Sequence, residues 1–365
     1  MILNMFAVKS KGLDESKDLG EPVTKHEQCP GGCFNIKPFD AESHRQASNS
    51  SLLHQADEFT DFAIAAKQPS VYENIFSWQT RVIRIYPSPD ENEPLTADLV
   101  TVDLIVNEGV VIVGTKENVT FDALSYCWGN GPRERLLILN QTQFAISSTL
   151  HAALRKCRSR PQVRYLWVDA ICINQEDDDE KATQVAMMLN IYQMAAKVHL
   201  WLGEQSEDSD LAITSLDNHR SFLDQLEATA KMKHGDDCIG RLRKIYSALF
   251  NFFARPWFRR TWIRQEAYAA RQIETHCGDR DIPLDSLLSG SHILRKIEAF
   301  SADVEWSQDT NIQLLLLDDL AKSTRHPATR QRKEFRPVLE VLVSSRNYQV
   351  SDPRDIIYAA LGKSR

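Results

Sequence analysis

The fold of this chain is indicated most clearly by Val163-Arg164-Tyr165-Leu166-Trp167-Val168-Asp169-Ala170-Ile171-Cys172-Ile173-Asn174-Gln175. Its first six residues predict a buried strand, and a polar segment follows from Asp169. Five acidic residues then occupy positions 176–180, at the start of a predicted helix, where negative charge suits the helix dipole. A second strand is predicted at Val198–Leu202, so strand, helix and strand follow one another as in a parallel βαβ unit.

The same alternation of strands and helices extends from Phe121 to Cys277. It predicts an α/β fold with a largely parallel central sheet flanked by helices. Strands predicted at Thr80–Tyr86 and Leu99–Val106 are expected to form N-terminal β-hairpin additions. Helices predicted at Leu284–Ala299, Asn311–Lys322 and Pro337–Arg346 are expected to form a helical C-terminal cap.

Domain organisation follows from changes in composition along the chain. Residues 1–70 are rich in polar side chains with little periodicity, so we expect a poorly ordered arm there. Residues 71–365 are expected to form one domain, with a core at 121–278 and the helical cap at 279–365. No internal repeat and no glycine-rich nucleotide-binding motif is present.

Composition argues against several classes of function. A net charge of −7 gives no broad attraction for nucleic acid or anionic membranes, and we read the basic stretch Arg325–Arg336 as a solvated loop. No apolar run approaches the ~20 residues that a membrane span needs. The seven cysteines are scattered, which predicts a reducing, cytoplasmic location. Cys29 and Cys33 lack a second Cys/His pair at zinc spacing, so no metal or cofactor is expected.

Candidate ligand-binding segments leave the ends of the predicted strands. Ligands of parallel sheets bind beyond the carboxyl ends of the strands. Three polar segments are predicted there: Ser125–Gly129, Asp169–Gln175 and Gly203–Gln205.

Glu266 is the candidate functional carboxylate. It lies four residues after Trp262 in a predicted helix at Arg259–Ala270, so the two side chains share a face with Phe258. A carboxylate on an aromatic face needs a partner, because burying an unpaired charge is costly. Two interpretations stay open: Glu266 pairs with Arg259 or another arginine for structural reasons, or it faces a substrate.

Several blocks of the sequence together resemble the fungal heterokaryon-incompatibility (HET) domain, over roughly residues 75 to 362. The matching blocks are Ala123–Gly129, Leu166–Gln175, Gln184–Tyr192, Trp201–Gly203, Arg255–Glu266 and Asp352–Gly362. The resemblance implies a role in self/non-self recognition and regulated cell death. It also implies a core related to the Toll/interleukin-receptor (TIR) fold.

The TIR relationship suggests two mechanisms, since some TIR domains hydrolyse NAD with a helical glutamate and others only assemble signalling complexes. In such enzymes the glutamate follows a tryptophan by four residues, as Glu266 follows Trp262. Here residues 203–258 separate that helix from the third core strand, a departure from the family pattern.

The enzymatic interpretation makes Glu266 the catalytic residue and NAD the substrate. A carboxylate beside the ribose would stabilise the oxocarbenium-like transition state, and the nicotinamide leaves as a neutral ring. The residues expected to contact the substrate are Ser125, Trp128, Gly129, Asp169, Arg259, Arg260 and Trp262. Each also has a structural interpretation: the tryptophans as core, Asp169 as the cap of a turn.

The alternative is a non-enzymatic adaptor of the same pathway. Its partners would be further copies of the chain and other cell-death signalling proteins. Neither interpretation predicts contact with nucleic acid or a membrane.

Overall fold

The computed structural model describes residues 71–90, 92–107, 110–114, 119–129, 131–158, 161–230, 236–300, 310–323 and 348. Chain contacts separate the units Met1–Ile64 and Ala65–Arg365, and every described residue belongs to the second. The predicted arm at 1–70 and the predicted helix at Pro337–Arg346 lie outside the described residues.

Ten strands and eleven helices make up the described part of the chain. The strands are β1 Gln79–Ile85, β2 Leu95–Asn107, β3 Val110–Gly114, β4 Asp122–Tyr126, β5 Arg135–Leu139, β6 Thr142–Ile146, β7 Arg164–Trp167, β8 Val198–Trp201, β9 Ile273–Cys277 and β10 Arg280–Ile282. The helices are α1 Ser148–Cys157, α2 Asp169–Cys172, α3 Asp178–Met194, α4 Ser209–Asp217, α5 His219–Ala230, α6 Asp236–Phe253, α7 Pro256–Arg259, α8 Ile263–Ala269, α9 Leu284–Leu288, α10 Gly290–Phe300 and α11 Thr310–Ser323.

All ten strands join one mixed sheet. Its order is β10-β9-β8-β4-β7-β1-β2-β5-β6, and β3 pairs with β2. The strands β7, β4, β8 and β9 run parallel as one block, which is the βαβ core that the sequence predicts. The pair β2–β5 is also parallel.

The prediction of a largely parallel sheet is not confirmed for the sheet as a whole. The pairs β1–β2, β1–β7, β2–β3, β5–β6 and β9–β10 are antiparallel. The reason lies in β1, which pairs with the edge of the parallel block at β7, so the N-terminal hairpins extend the sheet itself. Similarity to the TIR fold stays a prediction.

Helices cover both faces of the parallel block, and most residues of its strands, polar ones included, are accordingly buried. Residues alternate between the faces along a strand, so Ser125 lies on one face of β4 while Leu124 and Tyr126 lie on the other. Helices α3 and α8 contact each other over the Ser125 face. Helix α1 lies over the opposite face, where Leu150 and Cys157 are buried.

Two helical stretches of the chain are interrupted. Helices α4 and α5 meet at Asn218. The helix predicted at Arg259–Ala270 begins later, as α8, and Arg259 ends the separate helix α7, because Arg260 after it has extended backbone angles, φ −70° and ψ 134°. Phe258 and Glu266 therefore belong to different helices.

Ser147 caps α1 by accepting a hydrogen bond from the Leu150 N–H at 3.2 Å. None of the helices in the described ranges combines the length and hydropathy that a bilayer crossing needs.

The start of α10 provides a test of the packing. A Cβ atom added at Gly290 would lie 2.2 Å from Phe253 Cζ, whereas one added at Gly240 in α6 meets nothing within 4 Å. We expect Gly290→Ala to lower the free energy of unfolding by about 1–3 kcal/mol through overpacking. Gly240→Ala should instead raise it by about 0.5–1 kcal/mol by favouring the helix. Denaturant unfolding of both variants checks this, and equal effects would contradict the packing described.

Candidate functional site

The carboxylate of Glu266 is completely buried between α8 and β4. The side chain is 0% exposed. Helix α8 begins just after Trp262, whose carbonyl accepts a hydrogen bond from the Glu266 N–H at 3.1 Å. This places Glu266 in the first turn of α8, where the helix dipole favours a negative charge.

Hydrogen bonds and an ion pair link this carboxylate to described side chains in what we call the Glu266 cluster: Ser125, Trp257, Arg260 and Glu266. The Ser125 hydroxyl donates a hydrogen bond to Glu266 Oε2. The indole N–H of Trp257 donates to Ser125 Oγ at 3.0 Å. Arg260 Nη2 lies 3.4 Å from Glu266 Oε1, and Arg260 Nη1 donates to the Tyr126 carbonyl.

Arg260 carries the compensating positive charge. Burial of its guanidinium acts to lower its pKa, but the carboxylates of Glu266 and Asp169 outweigh burial and raise the pKa above its ordinary value. Arg260 therefore stays protonated and places a positive charge beside the buried carboxylate of Glu266.

Asp169 lies on the other side of Arg260, directly after β7. Its Oδ2 accepts a hydrogen bond from the Trp128 indole N–H at 2.9 Å, and its Oδ1 accepts one from the Ala170 N–H at 2.7 Å. Burial raises the pKa of Asp169, while Arg260 and these two hydrogen bonds act against the increase. The contact with Ala170 reaches only the next residue, and Asp169 itself is the first residue of α2.

A small cavity opens beyond the carboxyl end of β4. Its volume is about 180 Å³, and its lining includes Tyr126, Trp128, Gly129 and Ala170. Ligand pockets usually measure roughly 300–1,000 Å³, so this cavity accommodates only part of a dinucleotide. Glu266 is not part of its lining and lies on the Ser125 face of the sheet. A larger cavity of about 660 Å³ lies against β1 and β2, and it contains none of the predicted site residues.

The structure thus divides the predicted residues into groups. Ser125, Arg260 and Glu266 meet in the buried cluster, while Trp128 and Gly129 line the cavity and Asp169 accepts a hydrogen bond from Trp128. Trp262 is half-buried and packs against the apolar core. Arg259 ends α7 half-buried. The arginine that pairs with Glu266 is Arg260, not Arg259, which the structural interpretation named first.

Sequence reasoning missed two members of the site. Trp257 reads as a core residue, and it is buried, but its indole N–H also fixes the Ser125 hydroxyl. The Tyr126 carbonyl is the second acceptor for Arg260. The sequence pattern that could have revealed them is the block Pro256-Trp257-Phe258-Arg259-Arg260. In it Trp257 and Arg260 stand three residues apart, just before α8.

Comparison with known proteins identifies the class to which this arrangement belongs. The family model described as "Heterokaryon incompatibility protein (HET)" matches residues 121–266. That range runs from the residue before β4 to Glu266 itself and contains every member of the cluster. Residues 121–266 are therefore similar to the heterokaryon-incompatibility family.

A curated relative agrees with the family match. "Heterokaryon incompatibility protein 6, OR allele" from Neurospora crassa is 28% identical over 195 residues. The aligned part is 44% of this chain and 29% of the relative, so the chain spans under a third of that protein's length. No solved structure matches the chain.

The buried cluster predicts a large loss of stability when its acid is removed. Glu266→Ala leaves Arg260 without its closest carboxylate, and we expect it to lower the free energy of unfolding by about 3–5 kcal/mol. Ser125→Ala should cost less, about 1–3 kcal/mol. The double variant measured by denaturant unfolding should show a coupling of about 0.5–3 kcal/mol. Strictly additive losses would contradict the contact between Ser125 and Glu266.

Asp169 predicts a specific pH dependence. Its folded pKa lies above the ordinary value of 3.8, so the folded state holds the proton more tightly than the unfolded state. This contribution to stability is complete below pH 3.8 and is lost as pH rises through the folded pKa. Compared with Asp169→Asn, the wild type should therefore become relatively less stable as pH rises above 3.8. A constant difference in unfolding free energy across that range would contradict the burial of this carboxyl group.

Proposed function

We propose that this chain acts in heterokaryon incompatibility as a non-enzymatic assembly module, in which the Glu266 cluster holds the fold together. The role in incompatibility is carried over from the family match and the Neurospora crassa relative, whose names describe that process. The choice of an assembly module over an enzyme rests on the geometry of one side chain.

The burial of the Glu266 carboxylate is the observation that favours an assembly module over an enzyme. A catalytic acid must lie within reach of the reacting atoms of its substrate. Glu266 is 0% exposed, receives the Ser125 hydroxyl and lies beside Arg260. A ribose could reach it only if α8 moved away from β4, which would break the buried hydrogen bond between Ser125 and Glu266.

Hydrolysis of NAD is the second candidate, and one observation favours it. Trp128, Gly129 and Asp169 line or border a cavity at the carboxyl end of a parallel strand, where ligands of such sheets bind. A ring could stack on Trp128, which is 39% exposed. In this interpretation binding would have to open α8 and bring Glu266 to the sugar.

Exposed aromatic rings support the assembly function independently. Phe76 and Trp78, just before β1, are 61% and 52% exposed and stack with their ring centroids 4.6 Å apart. Aromatic residues are enriched at protein–protein interfaces. Such a pair is suited to contact another protein chain.

One experiment separates the two functions. Purified protein over a range of concentrations, including assembled forms, is incubated with NAD, and released nicotinamide is measured. We expect no release above the Glu266→Gln background. In a fungal host, growth arrest caused by wild type should persist in Glu266→Gln in proportion to the folded protein present.

Trp257→Phe is the matched control for these measurements. It removes the indole hydrogen bond to Ser125, and so disturbs the same cluster, but it keeps the carboxylate. Nicotinamide released by wild type and Trp257→Phe but not by Glu266→Gln would establish the enzyme and reject the proposal. Growth arrest lost on replacing Phe76 and Trp78 by serine, with normal folding, would support it.

A further inference from the structure

A second polar cluster lies on the opposite face of the sheet, where β4, β8, β9 and β10 lie side by side. His199 in β8 is the register partner of Glu274 in β9, and His276 follows Glu274 by two residues on the same face. One ligand atom from each of these three residues lies within 4.8 Å of the other two. The proposed function uses none of them.

The facing atoms have nearly the spacing of metal ligands. His199 Nδ1 lies 3.0 Å from His276 Nε2 and 3.5 Å from Glu274 Oε2. Two nitrogens bound to one tetrahedral Zn²⁺ at its usual bond length are separated by about 3.3 Å. The two imidazole rings are near-parallel, with centroids 5.3 Å apart. Little movement would be needed to place an ion between these atoms.

The far nitrogen of each imidazole faces a carboxylate. His199 Nε2 lies 3.2 Å from Asp122 Oδ2, and His276 Nδ1 lies 2.7 Å from Asp281 Oδ1. Metal-binding histidines typically donate their other ring N–H to such a group, which fixes the tautomer. If His199 Nε2 and His276 Nδ1 carry the hydrogens, then His199 Nδ1 and His276 Nε2 point lone pairs at each other across 3.0 Å. A cation between these two nitrogens stabilises that arrangement.

We propose that His199 Nδ1, His276 Nε2 and Glu274 Oε2 bind a single Zn²⁺ ion, with Asp122 and Asp281 orienting the two imidazoles. Two histidines and one glutamate are a donor set that zinc accepts, with a fourth position left for water. Both histidines are buried, whereas the Glu274 side chain is 34% exposed. Solvent therefore reaches the site from the side of Glu274.

Positive groups around the site contact its outer atoms. Lys197 pairs with Glu274 Oε1, the oxygen other than the one facing His199. Lys156, at the end of α1, pairs with Asp281 at 2.9 Å. Arg164 lies 3.9 Å from Asp122, and its Nη1 is 3.2 Å from His199 Nε2.

A hydrogen bond from Arg164 would satisfy this cluster without a metal ion, and this arrangement competes with the zinc site. If it donates a hydrogen bond to His199 Nε2, then His199 Nδ1–H donates to His276 Nε2 and the cluster is satisfied by hydrogen bonds alone. The zinc site and this hydrogen-bonded chain assign opposite tautomers to His199, so a binding experiment distinguishes them.

The test is a titration of the full chain, first stripped with a chelator, with Zn²⁺ alone by calorimetry and with Co²⁺ by visible absorption. We expect one Zn²⁺ per chain, a tetrahedral Co²⁺ spectrum and a higher Tm with Zn²⁺ because the ion binds the folded state. His199→Gln and His276→Gln should abolish the cobalt spectrum. His292→Gln, on the exposed side of α10, is the matched control and should bind as wild type does.

Asp281→Asn keeps the proposal testable if the histidine variants fail to fold, since the Asp281 side chain is 72% exposed. Loss of an outer carboxylate typically weakens metal binding by about 10- to 100-fold, and we expect a loss in that range. Circular dichroism confirms folding of each variant. The proposal would be overturned if the wild type bound no zinc. It would also be overturned if folded Asp281→Asn and the folded histidine variants bound zinc as tightly as His292→Gln does.

Discussion

The contact of α8 with β4 depends on one buried carboxylate and on the groups that make its charge tolerable. A carboxylate with no exposure is costly unless it is paired and hydrogen-bonded. Glu266 meets that condition through Ser125 and Arg260, and Arg260 is itself anchored on the Tyr126 carbonyl. These contacts fix the helix to the end of the strand more specifically than apolar packing alone, because each depends on direction as well as on proximity.

The alternation of residues along β4 separates two polar environments in one sheet. Ser125 points towards α3 and α8, while Asp122 lies on the face covered by α1 together with His199, Glu274 and His276. Each cluster is supported by its own helices and its own charged partners. Within the described residues the two clusters meet only through strand β4, to which Asp122 and Ser125 both belong.

Local patterns predicted much of this architecture. The core strands, the β5–β6 hairpin and the Ser147 cap all follow from short-range signals, and Ser125 and Asp169 lie near the ends of β4 and β7. Other features depend on distant partners. The antiparallel pairing of β1 with β7, the β10 strand and the break at Arg260 leave no clear local pattern. The histidine–glutamate cluster depends on the β8–β9 register, which brings His199 together with Glu274 from a distant part of the chain.

The insertion of α4 to α7 between β8 and α8 has a consequence for how the molecule reaches its native state. Ser125 and Glu266 are 141 positions apart, and β9 follows α8 in the chain. Contacts between distant residues carry a larger loop-closure cost and form slowly. During synthesis the early strands leave the ribosome with the Ser125 hydroxyl and a sheet edge uncovered until the later segments arrive. Slow completion of that edge is the stage at which this chain is most vulnerable to aggregation.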